Sequence, residues 1–387
     1  NQPPSNSFIK PDQVHLEKSY PLDVYFCNHC YLVQLLDVVP ASSIFDEYAY
    51  LSSSSVALKN HFGKLTQYIE NKFSLTKGDV VIDVGCNDGV LLNRYSNDGL
   101  VRIGVEPSNV AKIARNNGVE TIIEFFSNDV ADQISNEYNN FNVAIARHMF
   151  AHNEDPGELL SAMDKILDEN GVFIIENAYA IDTFKNGEFD QIYHEHMFYF
   201  SALNITALMD KFDFELIDFE HAPVHGGSGV FICGKKGKHE IQRSVKDILE
   251  KEQEAFGDKK IFDNFKEKIE VTKKKTLKLI DNELNSNKII GAYGAPAKAF
   301  TVFSYYGLSD KNISFCVDTT PTKIGKIFPE FNIPIISEEA LSNVEYNTLI
   351  VNAWNYKEDI LKKASSIFKK GTKLIFIIPN LEIYTVK

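Results

Sequence analysis

Five short apolar runs, with helically spaced segments between them, decide most of what this chain is able to become. DVVIDVG, VRIGVEP, VETIIEF, NVAIARH and GVFIIEN follow one another from about residue 75, interspersed with VLLNRYSN, NVAKIARNN and PGELLSAMDKILDEN. Runs of this length bounded by turn residues read as buried strands, and the stretches between them as helices. Strands that alternate with helices pair in parallel, and the product is a doubly wound sheet covered on both faces. After the fifth run the alternation stops. FELIDFEHAPVHGGSGVFICG reads as two strands around a Gly-rich turn, an antiparallel pair added to the sheet edge.

At 387 residues the chain is longer than one hydrophobic core usually serves, so two or three domains are expected. Residues 1–65, with Pro3, Pro4, Pro11, Pro21 and the CNHC turn, read as a small loop-rich module. Residues 66–237 hold the first α/β unit. Residues 238–285 are rich in Lys and Glu and carry Phe265, Ile269, Leu277, Ile280 and Leu284 at the spacing of amphipathic connecting helices. A second alternating region, 286–387, runs through KIIGAYGAP, ISFCVDTT, NTLIVNAWN and KLIFIIPN and reads as a smaller Rossmann-like domain.

A formal charge of −13 opposes binding to a phosphate backbone, so nucleic acid is not an expected partner. No apolar run approaches the roughly 20 residues of a bilayer span, and NQPPSNSFIKPD lacks a basic stretch leading into an apolar one. No membrane association, a cytoplasmic location and a monomer are the expectations. Five cysteines, of which only Cys27 and Cys30 are close in sequence, do not make a disulfide framework.

DVVIDVGCNDGVLLNRY is a strand, a glycine turn and a helix start. Asp83, Gly85 and Gly89 form DxGxxxG with Asn87 and Asp88 inside the turn, and Glu106 closes the next strand 23 residues after Asp83. Glycines let the backbone approach a ligand, and a carboxylate at the second strand's tip takes both ribose hydroxyls. A ligand-free turn is the plain alternative. A dinucleotide site is the other, but it presents GxGxxG to a pyrophosphate, and here Asp88 stands where the pyrophosphate belongs. Two carboxylates repel phosphate and suit a sulfonium with a free amino group, which selects S-adenosylmethionine. Phe125 and Phe126, after the third strand, stack on adenine or fill the core.

YHEHMFYF, Tyr193 to Phe200, sets two histidines about a glutamate. Metal cluster, general base and polar turn are its three readings. His194 and His196 are two apart rather than the four of a helical metal pair, and closing ligands are absent. The stretch follows the fifth strand, at the carboxyl edge where doubly wound folds bind ligands, and His152 follows the fourth strand at the same edge.

YFCNHCYLVQL, EYAYLSSSS, VIDVGCNDGVLL, GVEPS, FDQIYHEHMFYFS, VHGGS, GAYGAPAKA, VDTTPTKIGK and NAWN occur in this order over nearly the whole chain. Together they resemble the sugar C-methyltransferases of deoxysugar pathways, enzymes that act at C-3 of a nucleotide-linked 4-keto sugar. The resemblance implies an α/β fold: an N-terminal zinc-binding-type module, a central class I methyltransferase Rossmann domain, and a C-terminal Rossmann-like domain that helps hold the nucleotide sugar. It also implies His196 as the base beside Glu195 and Tyr193, His152 as a second active-site histidine, and an active-site tyrosine at Tyr48 or Tyr50. One departure stands out. The family's zinc module has two CxxC pairs, and this chain has Cys27 and Cys30 alone. Two thiolates do not close a tetrahedral site. His15 or His29 is available to assist, and a chain that starts just past a first pair accounts for the shortfall.

Joining carbon to a methyl sulfonium requires a carbon nucleophile. A C–H bond beside a ketone is acidified because the carbanion delocalises as an enolate, so a base must take the proton while a donor holds the oxyanion. His196 is the base because imidazole titrates near neutrality. Tyr193, Tyr48 or Tyr50, and His152 are donors to the enolate oxygen. Glu195 orients an imidazole or binds a sugar hydroxyl, its side chain pointing away from its neighbours'. His225, in VHGGS, contacts substrate or merely rides on the turn that Gly226 and Gly227 make. In GAYGAPAKAF, Tyr293 ends a strand and Lys298 lies in the first helical turn, where amides and an ammonium make a diphosphate site; Lys323 and Lys326 add charge from the turn after Asp318. The rivals are an NAD(P)-dependent oxidoreductase using this C-terminal loop, which lacks GxGxxG, and a non-catalytic scaffold that recruits a partner through CNHC.

Overall fold

The computed structural model describes residues 1–40, 51–138 and 140–387, Ser54 by its backbone alone. Near the N-terminus lie β1 (Val24–Phe26) and β2 (Val33–Leu35). The central strands are β3 (Val80–Val84), β4 (Val101–Val105), β5 (Glu120–Ile122), β6 (Phe141–Arg147) and β7 (Leu167–Ala178). A two-residue β8 (Phe198–Tyr199) and the hairpin strands β9 (Phe214–Ala222) and β10 (Ser228–Lys235) follow. The central sheet has the order β5-β4-β3-β6-β7-β10-β9, parallel from β5 to β7 and antiparallel on both sides of β10. All five expected parallel strands and the closing hairpin are present. The strand order reverses between β3 and β6, which opens a crevice at their carboxyl ends.

The sheet is covered on both faces, as its unbroken apolar strands require. Val80, Ile82 and Val84 of β3 and Phe173 and Ile175 of β7 join one core. Their alternates Val81, Val172 and Ile174 join another, under helix α1 (Val56–Lys72). Ser55 caps α1 by accepting the Leu58 amide, and Leu58, Phe62, Leu65 and Ile69 face the sheet. The helix therefore packs with the central unit along its whole length, across the expected module boundary at residue 65.

The other central helices are α2 (Ala111–Asn116), α3 (Asn128–Glu137), α4 (Pro156–Ile166), α5 (Ala180–Asn186) and α6 (Ala202–Met209). VLLNRYSN, expected as a helix, makes only the 3-10 turn Leu92–Arg94. The Glu70 carboxylate takes the amides of Ser96 and Asn97 at 2.8 Å, and so draws the chain out of helical register.

The connector is helical, as expected: α7 (Arg243–Gly257) and α8 (Lys260–Asn285). Glu252 of α7, fully buried, accepts the Tyr179 hydroxyl at 2.7 Å and the first amides of α6, Ala202 and Leu203, each at 2.8 Å. Ile269 and Ile280 of α8 enter the C-terminal core. That unit comprises β11 (Ile290–Tyr293), α9 (Lys298–Tyr306), β12 (Cys316–Val317), β13 (Ile327–Phe328), β14 (Ile333–Ile336), β15 (Thr348–Val351), α10 (Lys357–Ile367), β16 (Lys373–Phe376) and β17 (Glu382–Thr385). Its sheet order is β13-β14-β12-β11-β15-β16-β17, with antiparallel outer strands β13 and β17. The four expected strands are present. β14 carries Pro334, a residue that argues against a strand in sequence.

The N-terminal segment does not stand apart. β2 pairs with β1 on one side and with β8, the end of YHEHMFYF, on the other. Phe8 lies in the C-terminal core, packed on Phe300 and Phe328. Among the described residues no helix is long and apolar enough to cross a membrane.

Candidate active site

At the carboxyl end of β3 the chain makes a turn that glycine alone fits. Gly85 and Gly89 take φ of 76° and 75°, and a Cβ would meet Met149 at 2.9 Å or Val119 at 2.7 Å. Asp83 lies near the strand's end wholly buried, with neither carboxylate oxygen hydrogen-bonded among the described residues. Arg147, at the end of β6, stands 3.9 Å away. Burial lifts the Asp83 carboxyl to about 6, against the pull of Arg147 and with help from Glu106, Glu176 and Asp88. Four carboxylates thus ring one crevice. The Glu106 oxygens accept the amides of Asn87 at 2.9 Å and Ser108 at 3.0 Å. The Asn87 and Asp88 side chains accept the Ser52 and Ser53 amides at 2.9 and 3.0 Å, and so fasten the segment before α1 over the turn. An orphaned, buried carboxylate in an acidic cup fits the ammonium and sulfonium of S-adenosylmethionine, which Asp83, Glu106 and the glycine turn would hold. Of the two phenylalanines, Phe126 belongs to the core, a correction to its reading as an adenine platform; Phe125 is 56% exposed.

YHEH closes the same edge. His196 turns back on itself, its amide bonded to the Tyr193 carbonyl at 2.9 Å. Its Nδ1 lies 2.8 Å from the Gln191 carbonyl and its Nε2 2.7 Å from the Tyr193 hydroxyl. A carbonyl only accepts, so Nδ1 carries the proton, and Nε2 accepts from the phenol. The His152 ring, from the turn after β6, is 5.1 Å away, and the Met197 amide bonds to the Ala151 carbonyl at 3.0 Å, tying the two loops together. Both rings are largely enclosed, each keeping partial exposure. That enclosure pushes His152 down to about 4 and holds His196 well below the ordinary imidazole range, the neighbouring His152 adding to it. Both are therefore neutral at pH 7. Glu195 points the other way, accepting from Asn6 at 2.9 Å, and burial lifts its carboxyl to about 7. His194 turns out to the Pro21 carbonyl at 3.0 Å.

His225 lies at the β9–β10 turn with φ 55°, its ring 4.5 Å from that of His148, which is also left-handed at 49°. Tyr293 spends its hydroxyl on Glu338 at 2.6 Å. Lys323 donates to the Ala295 carbonyl at 2.8 Å, and Lys326 leads into β13. The Ala295 amide, which the diphosphate reading needs, is bonded to Asp318 at 2.7 Å. Lys298 heads α9, but its side chain is buried over the Trp354 ring at 4.6 Å rather than displayed at the helix mouth. Tyr48 and Tyr50 lie outside the described residues. In the CNHC turn, hydrogen bonds from the Cys30 and His29 amides lower the Cys27 thiol, and burial raises that of Cys30. Among the described residues no third donor joins this pair, so the residues present do not make a closed zinc site and no role is derived for the metal.

Several residues that the motif reading passed over line the same chamber. Glu176, at the end of β7 and fully buried, accepts from His61 of α1 at 2.7 Å and stands 3.9 Å from His148. Arg147, His148 and Glu176 were accessible to the rule that found His152, since each ends or follows a parallel strand. Glu188 and Asp190, just ahead of YHEH, are also buried.

Three family models match in succession: a "Putative zinc binding domain" over residues 1–45, a methyltransferase domain over 58–218 and a C-methyltransferase C-terminal domain over 223–379. C-methyltransferase NovU of Streptomyces niveus is 31% identical over 374 residues, covering 96% of this chain and 89% of the relative. The ubiquinone biosynthesis O-methyltransferase of Pasteurella multocida is 28% identical over 117 residues, covering 27% of this chain and 48% of its own. Among solved structures, magnesium protoporphyrin IX methyltransferase from Synechocystis is similar over 47% of this chain and 81% of its own, at 12% identity and a TM-score of 0.36.

Proposed function

The chain belongs to the sugar C-methyltransferase family, and on that premise we propose that it methylates the carbon alpha to the ketone, C-3, of a nucleotide-linked 4-keto-deoxyhexose. S-adenosylmethionine, when bound, supplies an electrophilic methyl group. Asp83, Glu106 and the glycine turn would hold it. His196 takes the C-3 proton through Nε2, the Tyr193 hydroxyl yielding its place to the substrate, and the Gln191 carbonyl keeps the tautomer that makes Nε2 the basic atom. His152 and Tyr193 face the developing oxyanion.

The observation that carries this reading is the neutral His196 imidazole, oriented by Gln191 and 5.1 Å from His152, beside an acidic cup suited to a sulfonium. The test is mass spectrometry and NMR of products from TDP-, GDP- and CDP-linked 4-keto sugars incubated with S-adenosylmethionine. One panel member should gain a methyl group on carbon. Methylation on oxygen, or of none of them, overturns the reading.

A further inference from the structure

Four stretches far apart in sequence meet around one buried cation. Lys298 is 9% exposed, and its Nζ has no hydrogen-bond partner among the described residues. Among the described residues no carboxylate lies within ion-pair distance of it. Its contact is the Trp354 ring, 4.6 Å from Nζ. Trp354 in turn donates to Asp190 Oδ2 at 2.6 Å, so the indole rather than the ammonium bonds that oxygen, and Oδ1 has no partner among the described residues. The hairpin turn closes over the other side. A Cβ on Gly226 would fall 2.3 Å from Glu188 Oε2 and 2.9 Å from the Trp354 ring.

The link from this pocket to the base is short. One turn along α9 from Lys298, Thr301 donates to the Ile192 carbonyl at 2.6 Å. Gln191 donates to the His225 carbonyl at 2.7 Å and accepts from His196 Nδ1 at 2.8 Å. The helix that carries the ammonium is thus bolted to the loop that carries the base. Burial first, then the Lys298 charge, keeps His225 deprotonated, and the same charge is among the causes acting on His196, after burial and His152. A buried ammonium held against an aromatic face without a hydrogen-bond acceptor is costly to keep, because the ring and the longer-range pull of Glu188 and Asp190 do not replace the hydrogen bonds of its lost hydration. Such a group is matched to an anion that arrives later.

We propose that the Lys298 ammonium receives the ketone oxygen as it becomes an enolate, making Lys298 a catalytic residue of the methyl transfer. The inference rests on the reading under Proposed function. The C-3 proton goes to His196 Nε2, the electron pair of the broken C–H bond forms the C3–C4 double bond, and the carbonyl pair moves onto the oxygen that Lys298 holds. A diphosphate is served poorly here, since the Ala295 amide that its site needs is taken by Asp318 at 2.7 Å and the ammonium is turned to Trp354.

The test uses the full chain, the panel sugar that wild-type enzyme methylates, and the matching nucleoside diphosphate. Solvent deuterium wash-in at C-3 without methyl donor reports enolisation, and calorimetry reports nucleotide binding. Lys298→Met should slow wash-in about 100- to 1,000-fold, the loss that follows removal of one oxyanion donor, while nucleotide affinity stays within about twofold. Retained affinity also shows that the variant is folded. Lys298→Gln, which keeps a weaker neutral donor, should fall between the two. If Lys298→Met binds the nucleotide tenfold more weakly but washes in deuterium at the wild-type rate when saturated, the lysine serves the diphosphate and the proposal is overturned. Unchanged wash-in with unchanged binding leaves a structural cation and overturns it equally. If wild-type enzyme shows methylation without any wash-in, the enolate reading itself falls, a failure visible before any variant is made.

Discussion

Replacing Tyr193 by Phe removes the hydrogen bond at the proposed base. The phenol donates to His196 Nε2 at 2.7 Å, and Nδ1 is held as a donor by Gln191. The Nε2 lone pair exists only in neutral imidazole, so the phenol stabilises the neutral form and helps depress the pKa. A neutral hydrogen bond contributes about 0.5–1.5 kcal/mol net, and one pKa unit corresponds to about 1.36 kcal/mol, so its loss should raise the His196 pKa by roughly 0.4–1.1 units. Wild-type His196 lies well below 6.5, so kcat/KM for methyl transfer should be flat through neutral pH and fall only on the acid side. In Tyr193→Phe that acid limb should move upward by the stated amount, whatever happens to the plateau rate. Nitrogen-15 shifts of the labelled imidazole provide a second readout, with Nδ1 protonated in both proteins. A limb that stays put or moves down, or a wild-type imidazole protonated on Nε2, refutes the assignment of donor and acceptor.

Three further outcomes are expected. Asp83→Asn removes the orphaned carboxylate and should weaken S-adenosylmethionine binding about 10- to 100-fold by calorimetry, the equivalent of one charge-assisted hydrogen bond of roughly 1.5–3 kcal/mol; unchanged affinity would remove Asp83 from the cofactor cup. Glu252→Ala strips three donors of their acceptor inside the protein and should cost about 3 kcal/mol or more in urea unfolding, whereas a loss under about 1 kcal/mol would mean that water replaces the carboxylate. The third concerns pH. Glu188 and Glu195 are lifted by burial to about 8 and about 7, so the folded state binds more protons than the unfolded one up to those values. Their effect is a stability that falls as pH rises. Below about 6.5 the depressed imidazoles His148, His152, His196 and His225 act in the opposite sense, since there the unfolded chain binds the extra protons. Above about pH 7 the unfolded imidazoles have lost most of their protons and the carboxyls outweigh them, so the denaturation midpoint should drop between about pH 7 and 8, less steeply in Glu188→Gln. A wild-type midpoint that rises there contradicts the assignment.

The parts of this architecture that were legible from sequence are those with a period or a backbone requirement. Unbroken apolar runs gave away the parallel strands, and Gly85 and Gly89 marked a turn that admits no side chain. What escaped depended on contacts between distant segments. β8 is two residues long and has no period to detect; its pairing with β2 is a tertiary fact. VLLNRYSN has helical spacing, but Glu70, from another helix, captures its amides. Phe126 and Phe125 are adjacent and chemically identical, and only the packing of the following helix sends one inward. Lys298 is at the expected place on α9 with its ammonium turned to Trp354, because the surroundings of a helix mouth are decided by a loop 56 residues away. Arg147, His148 and Glu176 were missed for a different reason: they match no spaced motif and become visible only when every strand end is inspected.

The three-stranded sheet built from β1, β2 and β8 has a consequence for how such a chain can change. Its outer strand is the tail of YHEHMFYF, with Tyr199 opposite Val33 and Phe198 opposite Gln34, and Asn6 reaches Glu195 directly. The N-terminal segment is therefore not a detachable cassette. A chimera that imported residues 1–45 from a relative would also import the template against which the base-bearing loop is laid down. Exchange between family members should succeed only when the first 45 residues and the stretch from Gln191 to Phe200 travel together.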